Sequence, residues 1–243
     1  SAVSLMAASR ALNVNCYPFC MIFDAGNAFL GSTPERLWRR RGTLLRTEAL
    51  AGTVAGHSDD KQARRLGDWL MNDDKNQREN MLVVEDICQR LQHHTQTLEV
   101  LPAQVVRLRK VQHLRRCIWT ALKHASDEQC LNALQPPAAV AGLPRQAAPA
   151  FIPKGEPPDR QWYAGSAGYL SREPSGFCGA LRPARLHEAL LPVHSGAGLA
   201  PGPATEALFL APSPLPKSHP HELLRSHPLF RYAQMQCGGR LSC

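Results

Sequence analysis

The sequence predicts an α+β fold in which antiparallel strands alternate with helices. Three observations point there. Short apolar runs bounded by turn residues recur before residue 58 and after residue 100. A sustained stretch of helical spacing lies between them, over residues 59–92. Hydrophobic residues make up 44% of the 243, enough for a core.

The elements follow in order. Residues 4–12 are rich in Leu, Met and Ala and read as a helix. Apolar residues 16–23, the turn Asp24-Ala25-Gly26-Asn27 and a second run to Leu30 make a hairpin. Ser32-Thr33-Pro34 breaks the pattern before Glu35-Arg36-Leu37-Trp38 opens another strand, and Leu44, Leu45 and Leu50 continue it as a second hairpin. Leu66, Leu70, Met81, Val84, Cys88 and Leu91 then recur at helical spacing, with Asn72-Asp73-Asp74 dividing that stretch into two helices. Residues 100–119 return to strand-like alternation. Pro136-Pro137, Gly142-Leu143-Pro144 and residues 153–158 are loops. Residues 162–170 and 176–186 read as two strands joined by a polar turn. From Leu199 onward Pro and His crowd in and no periodicity survives. The expected division is therefore a folded body over residues 1–202 and an aberrant Pro/His-rich tail over 203–243, expected to be disordered.

Composition narrows the function. The net charge is +8. No long uncharged apolar run is present, so no transmembrane helix is expected, and the first thirty residues lack the three parts of a secretory signal. Eight scattered cysteines without a C-x-x-C pair fit reduced thiols in a cytoplasmic protein. Basic clusters stand at residues 36–41 and 107–110, but aromatics do not interleave with them as a base-stacking platform requires. A solvated face, or attraction of small anions, is the better reading, and no nucleic-acid or membrane partner is expected. No internal repeat is visible. The first residue is Ser1 rather than Met, as in a fragment.

Candidate chemistry is sparse when each residue stands alone. Glu35 follows Pro34 at the mouth of a strand, where a carboxylate can point into a cleft, although a lone Glu is most often a surface residue. Glu79 shares its helix with Lys75, Arg78, Glu85 and Asp86, which also describes a solvated charged face. The small-residue runs Leu50-Ala51-Gly52-Thr53 and Ser195-Gly196-Ala197-Gly198 offer backbone N–H groups to a carboxylate, or are ordinary tight turns. Gly165-Ser166-Ala167-Gly168 reads as tight strand packing. Arg182, expected on a strand, could complete an anion site with its guanidinium fork.

Taken together these segments resemble a known family. Thr33-Pro34-Glu35-Arg36, Thr47-Glu48-Ala49-Leu50-Ala51-Gly52-Thr53, Asp74-Lys75-Asn76-Gln77-Arg78-Glu79-Asn80, Ala139-Val140-Ala141-Gly142-Leu143-Pro144, Trp162-Tyr163-Ala164-Gly165 and Ser195-Gly196-Ala197-Gly198 are similar, in this order, to the successive blocks of the chorismate-utilising enzymes. The wording is closest to the menaquinone-specific isochorismate synthases, above all over Gln77-Arg78-Glu79-Asn80-Met81-Leu82-Val83-Val84-Glu85-Asp86.

The resemblance implies antiparallel sheets packed with helices around a deep cleft, and magnesium-dependent conversion of chorismate to isochorismate for menaquinone biosynthesis. It implies Glu35 as general acid, Glu79 as a ligand of Mg2+, and Gly52, Tyr163, Arg182, Gly196 and Gly198 as the substrate-binding set. Three departures accompany it. The family's activating lysine belongs to a segment before the first helix. Its Glu-x-x-Glu pair and following lysine are met here by Leu208, Ala211 and Leu215, so little or no turnover is expected from this chain. Gln135 stands where the aminating relatives carry a histidine. Anthranilate-type or salicylate-type chemistry is the enzymatic alternative, and a non-catalytic basic binding protein the alternative of another class. A monomer is favoured.

Overall fold

The computed structural model describes residues 1–148, 162–187, 191 and 193. The expected boundary at residue 202, the tail, and Gly196 and Gly198 lie outside the described residues.

Helix α1 (Ala2–Leu12) leads into β1 (Tyr17–Ile22) and β2 (Asn27–Thr33). β3 (Arg36–Arg41) and β4 (Leu44–Ala55) precede α2 (Asp60–Asn72) and α3 (Asp74–Leu91). β5 (Thr95–Val100), β6 (Gln104–Arg107) and β7 (Val111–Leu122) come next, then α4 (Asp127–Leu134) and the single turn α5 (Ala138–Ala141). β8 (Ser166–Tyr169), β9 (Ser175–Gly179) and β10 (Pro183–His187) close the described chain. Among the described residues every strand pairing is antiparallel, and the α+β class predicted from the sequence is the one observed.

Two sheets result. A three-stranded sheet has the order β1-β2-β10, and a seven-stranded sheet runs β5-β7-β4-β3-β9-β8 with β6 also paired to β7. β9 and β10 are consecutive in sequence yet belong to different sheets. The single strand predicted over residues 176–186 is therefore two strands, and the bend between them holds Arg182 off either ladder. The run predicted over residues 100–119 is likewise divided. β6 turns back on β7 with Val106 opposite His113, so the basic residues after Arg107 form the turn rather than one strand face. Over residues 162–170, strand pairing is confined to β8. There Gly168 packs so closely on the Gly176 carbonyl and the Phe177 ring that a β-carbon would clash, which bears out the tight-packing reading.

Helix boundaries follow local chemistry. Asp73 ends α2 and caps α3, its side chain accepting the Asn76 N–H at 2.9 Å. This is the division expected at Asn72-Asp73-Asp74. α4 went unread in the sequence. Its signals are Ser126, whose hydroxyl accepts the Gln129 N–H at 3.2 Å, and Asp127 and Glu128 in the first turn.

The main core lies between α3, α4 and one face of the larger sheet. Val83, Val84, Ile87 and Leu91 of α3 meet Trp38, Leu45, Ala49, Ile118 and Leu122 of the strands and Cys130, Ala133 and Leu134 of α4. A second cluster packs α1 on β2 and β10 through Leu5, Ala8, Leu30 and Ala184. Phe19, Phe29, Cys178 and Ala180 bridge the two sheets. Within the first basic cluster, Arg40 is buried and bonds Asp127 at 2.6 Å, and Arg36 bonds the Tyr17 hydroxyl at 2.6 Å. Among the described residues no helix is long and apolar enough to cross a membrane.

Candidate functional site

The site grows out of an irregularity in β4. The β4–β7 register shifts between Leu50 and Thr53, and Gly52 sits there with φ of +85°, in the left-handed region that favours glycine. Leu50-Ala51-Gly52-Thr53 is therefore a β-bulge inside a long strand and not the tight turn that was the simpler expectation. A β-carbon on Gly52 would lie 3.1 Å from both the Asn76 β-carbon and the Asn76 carbonyl oxygen.

Helix α3 presses its first turns onto this bulge. Its sheet-facing stripe begins with amides before the aliphatic residues take over. Asn76 Oδ1 accepts the Thr53 N–H at 3.1 Å. Asn80, fully buried, donates to the carbonyls of Ala49, Ala51 and Leu114 at 3.0–3.2 Å and accepts from Arg116 at 2.6 Å. Glu79 lies between them in sequence, and its carboxylate accepts the Gly52 N–H. Burial raises the Glu79 pKa, against the lowering by that hydrogen bond and by Lys75. Glu79 is thus half-buried and bears on the Gly52 backbone.

The other side of Gly52 points at His113. The imidazole, 4% exposed on β7, engages the Gly52 backbone and places Nδ1 2.9 Å from Thr53 Oγ1. Arg182 donates from Nη2 to Nε2 of the same ring at 2.9 Å. Arg182 sits just before β10 with φ of +56°, a conformation that side-chain-bearing residues adopt at a cost and that recurs at functional sites. Its charge faces Glu35, Cys16 and Tyr163, and burial lowers its pKa to about 10, so it stays a cation at neutral pH.

Glu35 occupies the connection between β2 and β3 and is 7% exposed. Its N–H bonds the Thr33 hydroxyl at 3.2 Å, and its carbonyl accepts the Gly179 N–H at 3.2 Å. Burial, with a smaller push from the Glu48 carboxylate, raises the Glu35 pKa to about 7, against the pull of Arg182. A carboxyl poised there can hold a proton near neutrality and release it to a leaving group.

Arg182 is thus hydrogen-bonded to His113 and acted on by the charges of Glu35 and Tyr163, while the Gly52 backbone bears on both His113 and Glu79. Sequence reasoning gave no individual role to Glu48, Thr53, Asn76 or Asn80, which figured only within longer segments, and did not single out His113 or Arg116 as site residues. The signal for His113 is thin: Gln112 and His113 are adjacent polar residues on a strand, and both are buried.

As a hard-cation site, the geometry offers the Glu79 carboxylate. No group of three or more His, Cys, Asp or Glu residues that could hold a metal is found among the described residues. One carboxylate is a weak signal for a hard divalent cation, which wants several oxygens; of such cations magnesium asks least of the protein, drawing on water and substrate oxygens.

Comparison with known proteins shows the family. The chorismate binding enzyme family matches residues 1–207. The chain is 67% identical over 202 residues to isochorismate synthase MenF of Escherichia coli (strain K12), covering 83% of this chain and 47% of that protein. It is 42% identical over 178 residues to a salicylate biosynthesis isochorismate synthase of Pseudomonas aeruginosa, covering 72% and 37%. The solved structure of the Escherichia coli menaquinone-specific isochorismate synthase superposes with a TM-score of 0.74 at 70% identity, covering 76% of this chain and 44% of that one. Anthranilate synthase component I from Streptococcus pneumoniae, 22% identical with a TM-score of 0.68, covers 77% and 42% and shares the fold. The chain spans about half the length of the curated relatives it matches. On the family match and these identities, it belongs to the chorismate binding enzymes.

Proposed function

We propose that this chain carries the chorismate-binding and proton-donating part of an isochorismate synthase acting in menaquinone biosynthesis. The observation that carries the reading is Glu35, a buried carboxyl with its pKa near 7 beside the cation of Arg182.

In the reaction a water oxygen bonds to one ring carbon of chorismate as the hydroxyl on another departs, the ring double bonds shifting between the two carbons. Glu35 gives its proton to that hydroxyl, which leaves as water. The proton of the attacking water passes to a base, a role the family gives to a lysine. The Arg182 guanidinium, anchored on His113, holds a substrate carboxylate, and Tyr163 lines the same side. Gly52 keeps the bulge free of a side chain, so backbone and substrate can approach closely. Gly196 and Gly198 supply further N–H groups in this reading. Glu79 would hold Mg2+, whose chemistry is to neutralise and orient a substrate carboxylate.

Leu208, Ala211 and Leu215 stand where the resemblance expects two carboxylates and a lysine, so we expect strong impairment of turnover. Free thiols at six cysteines of the described residues support a cytoplasmic setting.

Calorimetric titration of chorismate into the chain with Mg2+ present tests the reading. Binding that is lost in Arg182→Met and weakened without Mg2+ is expected, with any isochorismate formed disappearing in Glu35→Gln. Chorismate binding indifferent to Arg182→Met would overturn it.

A further inference from the structure

We infer that Glu48 is a positioning residue for the proton on Glu35: a second, buried carboxylate beside the acid that keeps it protonated. The inference rests on the general-acid role proposed for Glu35.

Glu48 lies on β4 and is 4% exposed. Its Oε1 accepts the N–H of Arg36 at 3.0 Å, which ties the carboxylate to the residue that follows Glu35. Its Oε2 is buried and makes no hydrogen bond. The nearest cationic atom is Nη1 of Arg115 on β7, at 4.0 Å, and the Arg115 side chain is 32% exposed. Water therefore competes for that cation, and the charge on Glu48 is incompletely cancelled.

The surrounding groups sort the two carboxyls. Around Glu48 stand Tyr17 from β1, Arg36 from β3 and Arg115 from β7; burial raises its pKa, and the Arg36 N–H and the two arginines oppose that rise by favouring its anion. Around Glu35 stand Glu48, Cys178 from β9 and Arg182. With an N–H donor at 3.0 Å and a cation at 4.0 Å on its own carboxylate, Glu48 yields its proton before Glu35, which then stands beside a negative charge and keeps its own. A tether alone does not account for the carboxylate. A glutamine would accept the Arg36 N–H equally well and would avoid burying a charged oxygen that has no hydrogen bond and only a partly exposed cation at 4.0 Å.

The test is a carboxyl titration of the full chain, followed by NMR of 13C-labelled glutamate, with the Glu35 resonance assigned by its loss in Glu35→Gln. In Glu48→Gln the Glu35 midpoint falls from near 7 by about one pH unit, the effect of removing one nearby like charge. In Glu48→Asp, which keeps the charge, the midpoint stays high. The Arg36 amide resonance reports whether the tether survives. An unmoved Glu35 midpoint in Glu48→Gln with that amide in place would overturn the inference. If the Gln variant does not fold, the parent decides: Glu48 titrating above Glu35 overturns the inference, and Glu48 titrating below, with a matching inflection on the Glu35 resonance, supports it. The titration involves neither chorismate nor turnover, so its failure leaves the role of Glu35 standing, and a Glu35 dispensable to turnover leaves the coupling standing.

Discussion

Arg182 donates from Nη2 to Nε2 of His113 at 2.9 Å, and that contact fixes the imidazole tautomer. A guanidinium has no acceptor, so Nε2 must offer its lone pair and the ring proton resides on Nδ1, toward Thr53 Oγ1 at 2.9 Å. Protonating the ring would place a second cation against Arg182 in a buried site. Burial first, and Arg182 second, hold the His113 pKa at about 3. The residue therefore works as a fixed neutral bracket between the Gly52 bulge and Arg182.

A stability prediction follows for His113. Its folded pKa is about 3 against 6.5 when unfolded, so the unfolded chain takes up the proton first as pH falls. Its contribution is fully present above pH 6.5 and is lost as pH falls toward 3, a loss on the order of 4–5 kcal/mol by linkage. Denaturant unfolding of His113→Gln between pH 6.5 and 3 should show a shallower acid slope than the parent. Parallel slopes would refute the assignment.

Glu35 has the opposite sign. Its folded pKa of about 7 lies above its ordinary 4.5, so the folded chain holds the proton longer. Stability is fully present below pH 4.5 and declines by about 3 kcal/mol as pH rises through 7. Glu35→Gln should match the parent near pH 4 and exceed it at pH 8 by up to about that amount. The cost of keeping an acid protonated in a dry site is thus visible as lost stability at alkaline pH.

Gly52→Ala forces a β-carbon into a backbone with φ of +85°, 3.1 Å from Asn76. We expect a loss of about 1–3 kcal/mol in urea unfolding. Chorismate binding should also weaken, because the backbone of this residue engages both Glu79 and His113.

Asn80→Leu preserves volume but strips the partner from three buried carbonyls and from Arg116. The expected loss is about 3 kcal/mol or more, read from denaturant midpoints at unchanged m-value. A loss below about 1 kcal/mol would show that the carbonyls find other partners.

Much of this protein was legible in its sequence because the signals were local. The pairing of residues 16–30 follows from a turn signal between apolar runs, and the division of α2 from α3 follows from an aspartate able to cap. Glu35, Gly52, Glu79, Tyr163 and Arg182 were singled out by ordered similarity to a family, which records residue types without giving their contacts. Tertiary structure alone decided the rest. The Gly52 bulge exists because β4 must slip register against β7, some sixty residues away in sequence. Arg182 leaves both ladders because consecutive strands enter different sheets. His113 stays neutral and Glu48 bears on Glu35 because burial strengthens electrostatic effects between residues far apart in the chain. A sequence carries the identity and spacing of such groups, while their charge states depend on which of them the fold brings together and keeps dry.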